Sequence, residues 1–186
     1  VLGIHKLRWE NPNDPQGMFS EAFHFAMHVL SIQNPVRLCV DPHRPGGLDV
    51  IPHAEQGSVQ AGTAVVTGLT PAQSMFVAAK QLTYFRSEHF ILTFINSHSE
   101  LLKLLTGPLH LGGVQLNDPN AVATAAQLQQ LLEPIQIDAL RSLVRKFTEA
   151  GGAANIKEWV RGVEYTALQA AFVLTQDLSL AGQMIP

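Results

Sequence analysis

Leu69-Thr70-Pro71-Ala72-Gln73-Ser74-Met75-Phe76-Val77-Ala78-Ala79-Lys80-Gln81-Leu82-Thr83-Tyr84-Phe85-Arg86-Ser87-Glu88-His89 is the stretch whose reading decides the fold. Thr70 supplies a capping hydroxyl, and Pro71 stands at the first helical position, where its missing N–H is not needed. Met75, Phe76, Ala79, Leu82 and Phe85 then recur at helical spacing, which predicts a helix from Pro71 to about Arg86 with these residues on its core side. Lys80, Gln81 and Tyr84 stand within it at relative positions i, i+1 and i+4.

Upstream, residues 1–17 are rich in Asn, Pro and Gly and read as an irregular lead-in. Met18 to Ile32 reads as a helix, with Phe19, Ala22, Phe23, Ala26, Val29 and Leu30 at helical spacing. Short strands are expected at Val36–Asp41, Leu48–His53 and Gly62–Val66, separated by Pro42, Pro45-Gly46-Gly47 and Gly57. This small β region, 36–68, gives way to a helical region, 70–186. After the decisive helix, short helices are expected at Glu88–Ile95 and Ser97–Leu105, then a loop from Thr106 to Asn117. Helices at Asn120–Leu132, Ile137–Ala150 and about Asn155 to Leu174 follow. The expected architecture is α+β: one domain with a small antiparallel or mixed sheet on a mostly helical bundle.

Hydrophobic residues make up 46% of the chain and charged residues 15%, so a folded core is expected rather than disorder. The net charge of −3, with Lys and Arg scattered, gives no footprint for nucleic acid. No apolar run approaches the ~18 residues of a membrane span. The start at Val1 and the stop at Met184-Ile185-Pro186 read as a piece of a larger protein, and a cytoplasmic compartment is favoured. Cys39, the only cysteine, lies in the apolar run Val36-Arg37-Leu38-Cys39-Val40 and reads as a buried, inert thiol.

The decisive helix resembles the H-E-x-x-H helix of zinc peptidases with its chemistry replaced. That motif sets two His at i and i+4 on one helix face, and the Glu after the first polarises zinc-bound water. Lys80, Gln81 and Tyr84 occupy those offsets. An ammonium repels Zn²⁺, an amide takes no proton from water near neutral pH, and a phenol is a rare zinc ligand. Further on, Gly162-Val163-Glu164-Tyr165-Thr166-Ala167-Leu168 resembles the E-x-x-A-D third-ligand helix of peptidases related to the CaaX prenyl protease. Glu164 and Ala167 match it, and Leu168 replaces its Asp. The phrases Leu82-Thr83-Tyr84-Phe85-Arg86-Ser87-Glu88-His89-Phe90 and Trp159-Val160-Arg161-Gly162-Val163-Glu164-Tyr165-Thr166 resemble an uncharacterised bacterial domain found at the end of tetratricopeptide-repeat proteins, largely in myxobacteria.

Over about residues 36–186, the resemblance implies a zinc-peptidase-like fold without peptidase activity or cofactor. The degenerate former zinc site would be Lys80, Gln81, Tyr84 and Glu164, with Lys80 and Glu164 facing each other as a cross-helix tie. The implied role is a structural or protein-interaction module whose partner is another protein or the rest of its own chain. The old cleft would accept an extended peptide at an edge marked by Ala61, Thr63 and Val65.

A rival reading is a metal-dependent hydrolase. His24 and His28 lie four apart with Glu21 three before His24, a metal-capable stripe whose third ligand would be Glu21 or His53. Phe25 follows His24, so no general base is built in. Arg86, Ser87, Glu88 and His89 form a polar cluster in which Ser87 reads as the N-cap of the next helix. No phosphate loop and no serine-hydrolase elbow occurs.

Overall fold

The structure is a computed structural model that describes residues 9–41, 43–51, 56–95 and 97–185. The chain, read above as one domain, falls into two compact units: residues 1–94 with 161–186, and residues 95–160.

The first unit begins with α1 (Met18–Val29), which buries Phe19, Ala22, Phe23 and Ala26. It stops three residues short of the expected Ile32. Ser31 takes a left-handed φ of 51°, and its N–H turns back to the His28 carbonyl. Three strands follow, β1 (Arg37–Val40), β2 (Leu48–Val50) and β3 (Ser58–Ala61), in the order β1-β3-β2. β3 is parallel to β1 and antiparallel to β2, so the sheet is mixed and the class is α+β. The outer side of β1 carries the lead-in. Trp9 bridges Cys39, Glu10 N–H donates to the Leu38 carbonyl at 2.8 Å, and the Arg37 guanidinium lies 4.0 Å over the Trp9 ring. Cys39 is buried, as expected.

The expected strand at Gly62–Val66 is instead a short helix, α2 (Thr63–Val66). Gly62 N–H makes the last bond of the ladder, to the Gly47 carbonyl. The next two N–H groups, of Thr63 and Ala64, are taken by the carbonyls of Arg44 and Gly46. A Cβ on Gly62 would lie 2.8 Å from both of those oxygens, so only glycine lets the chain turn there.

The decisive helix is α3 (Pro71–Thr83), opened by a capping box in which the Thr70 side chain accepts from Gln73 N–H and Gln73 reaches back to Thr70 N–H. It buries Phe76, Ala78, Ala79 and Leu82 and packs on α1. A short 3₁₀ turn, Phe90–Thr93, replaces the helix expected from Glu88, and His89 rather than Ser87 precedes it. From α7 (Ile156–Thr175), Val163, Ala167 and Ala171 bury one stripe at i, i+4 and i+8. α8 (Leu178–Met184), which periodicity did not announce, packs on α3 and buries Leu180 and Ala181.

The second unit packs α4 (His98–Leu111) against α5 (Pro119–Leu131) and α6 (Pro134–Glu149). Helix α4 runs through Gly107-Pro108, where a loop was expected. Gly107 is buried against α5, and a Cβ there would stand 2.4 Å from the Thr124 side chain. Helix contact thus overrides a local breaker pair. Pro119 and Pro134 both sit in the first turn of their helices, so α6 starts at Pro134 rather than at the expected Ile137. Among the described residues, no helix is long and apolar enough to cross a membrane.

Candidate functional site

Lys80 and Tyr84 lie four apart at the end of α3 and so project from one face. Glu164 lies next to Val163, the first residue of the buried stripe of α7. The Lys80 ammonium stands 2.8 Å from Glu164 Oε1, and the Tyr84 hydroxyl donates to Glu164 Oε2. Both carboxylate oxygens are therefore engaged by groups of α3. The pair is half-shielded: the Lys80 and Glu164 side chains are 28% and 43% exposed.

Burial alone would raise the Glu164 carboxyl. Hydrogen bonds from Lys80 and Tyr84, with the Lys80 charge, outweigh it and hold the pKa below the ordinary value. Burial, then the bond to Glu164 and its negative charge, pushes the Tyr84 phenol up. Near neutral pH Tyr84 is thus a phenol and Glu164 a carboxylate. Gln81 joins Lys80 and Tyr84 along a hollow of about 280 Å³, whose other walls are Leu48 of β2, Phe76 and Val77 of α3, and Met184 of α8. Sequence reading did not find the Met184 wall. The only signal was Asp177, whose side chain caps α8 through Leu180 N–H at 2.9 Å.

The candidate peptide edge is corrected. Ala61 lies in β3, the central strand, paired to Val40 on one side and Leu48 on the other, while Thr63 and Val65 lie on α2. No open backbone is available along β3. Among the described residues, β2 has no pairing on its outer side, whereas the outer side of β1 carries the Trp9 bridge. Ile51 N–H donates to the Ser58 carbonyl and Gly62 N–H to the Gly47 carbonyl, so the alternation of an antiparallel ladder turns Asp49 toward β3 and the N–H and C=O of Leu48 and Val50 outward. The Leu48 side chain meanwhile lines the hollow beside Lys80.

His24 has both ring nitrogens buried without a hydrogen-bond partner among the described residues, and burial lowers its pKa against the opposing pull of Glu10. His28 and Glu21 are exposed on the same helix. Among the described residues, no three His, Cys, Asp or Glu are grouped closely enough to hold a metal ion; His53 lies outside those residues. In the cluster after α3, the Glu88 carboxylate accepts from its own backbone N–H, from Arg86 at 2.7 Å and from Ser87 at 3.1 Å. These bonds pull its pKa down to about 2. The buried His89 ring holds the Thr83 carbonyl through Nδ1 at 3.0 Å, a fastening of the end of α3.

Comparison with family models, curated proteins and solved structures returns no match.

Proposed function

We propose that this chain is a non-catalytic domain with a zinc-peptidase-like fold, serving as a structural or protein-interaction module in a larger helical-repeat protein of bacterial type. The observation that carries the reading is the engagement of both Glu164 oxygens by Lys80 and Tyr84. In this reading the Lys80 ammonium supplies the positive charge that a zinc ion supplies in active peptidases, and the site joins two helices instead of cleaving a bond. A carboxylate already neutralised and doubly hydrogen-bonded is a poor metal ligand, and one with a lowered pKa is a poor base. The partner is a protein segment, either from another chain or from the rest of its own. A cytoplasmic location goes with this reading, since one buried thiol makes no demand for an oxidising compartment.

The mode of binding is strand addition at β2. An extended segment would bond to the outward N–H and C=O of Leu48 and Val50 and set an apolar side chain into the hollow lined by Leu48, Phe76, Val77 and Met184. Selection of displayed extended peptides on the intact protein tests this. Enriched peptides should perturb the amide signals of Leu48–Val50 and leave uncleaved. Val50→Pro removes one outward donor while sparing the bonds to β3, and should weaken them at least about tenfold, the worth of ~1.4 kcal/mol. Peptides that bind Val50→Pro as tightly as the parent would refute strand addition, and cleavage of a bound peptide would refute the non-catalytic reading.

A further inference from the structure

An open cleft of about 640 Å³ lies within the second unit, between the turn Gly112–Val114 that follows α4 and one face of α6. Two glycines shape it. A Cβ on Gly112 would stand 2.4 Å from Val144, so the end of α4 rests directly on α6. Gly113, at φ +109°, has nothing within 4 Å of its Cβ position. The α6 wall carries Asp138, Arg141, Ser142, Arg145 and Thr148 around Val144. Arg141 and Arg145 are one turn apart, so their guanidinium groups stand on one face. Their own carboxylates hold them loosely: Asp138 at 3.4 Å and Glu149 at 3.9 Å, with all four side chains more than half exposed. Such pairs contribute little and yield readily to a better anion.

We propose that this cleft binds a phosphate group of a small ligand. Two guanidinium groups with the Ser142 hydroxyl offer more donors than a single planar carboxylate group can use, and they suit a tetrahedral group with three free oxygens on one atom. The volume is that of a small-molecule site. Nothing in the proposal depends on the Lys80–Tyr84–Glu164 cluster.

The test is titration of the intact protein with inorganic pyrophosphate, followed by calorimetry and by amide shifts, with succinate as a carboxylate control. Saturable pyrophosphate binding that shifts Gly113 and Ser142 is expected, with succinate at least about tenfold weaker. Arg141→Gln and Arg145→Gln should each weaken binding about tenfold. Lys146→Gln, an exposed cation on the same helix outside the cleft, should leave it unchanged. No saturable binding, equal binding of succinate, or a Lys146→Gln loss as large as that of Arg145→Gln would overturn the proposal.

Discussion

Phe76→Ala is expected to destabilise the first unit by about 3–5 kcal/mol, the usual cost of emptying an aromatic site in a core that does not collapse around the gap. Phe76 is 1% exposed and belongs to the cluster that joins α1, the sheet, α3 and α8. It also backs the hollow beside Leu48. Phe76→Leu keeps most of the volume and should cost no more than about 1.5 kcal/mol. Denaturant unfolding in a Trp159→Phe background reads the first unit, because Trp9 is then the sole tryptophan and pairs with β1 at Cys39. A Phe76→Ala loss below about 1 kcal/mol would mean that α3 does not organise this core.

Glu164→Ala is expected to destabilise the same unit by about 1–2 kcal/mol, because it leaves the Lys80 ammonium and Tyr84 hydroxyl half-buried without their acceptor. The ~3–5 kcal/mol of a broken buried pair does not apply: with 28% and 43% of the two side chains exposed, water replaces part of what is lost. The pH dependence has a definite sign. The folded pKa of Glu164 lies below its ordinary value of 4.5, so the unfolded chain takes up this proton first as the solution is acidified. The carboxylate's contribution is complete above the ordinary value and is lost as pH falls through the folded one. The stability gap between the parent and Glu164→Gln should therefore be constant near neutrality and close below about pH 4.5. A variant as stable as the parent at pH 7 would show that the cluster is not a tie.

How much of this was legible in the sequence depended on how local each feature is. Helix α3 was readable because Thr70, Pro71 and Gln73 act on neighbours, and because Phe76, Ala79 and Leu82 repeat with the helix. The third strand was misplaced because Val65-Val66 looks like a strand pair, whereas Ser58 and Gln60 of β3 do not look like core. Ser58 is in fact 1% exposed, because β3 is flanked on both sides. The overrun of α4 past Gly107-Pro108 depended on Thr124, a contact that no window around residue 107 contains. At the site, Lys80, Gln81, Tyr84 and Glu164 could be named from spacing and resemblance. The bond from the Tyr84 hydroxyl to Glu164 spans eighty residues and exists only in the folded chain.

The most direct test of the non-catalytic reading is the zinc content of the intact protein, purified without a nickel column and measured by elemental analysis. With Glu164 neutralised by Lys80 and bonded by Tyr84, the account predicts no stoichiometric zinc, in the parent or after dialysis against the ion. About one tightly held zinc per chain, lost in His24→Ala or Glu164→Ala, would contradict it and make the chain a metalloprotein.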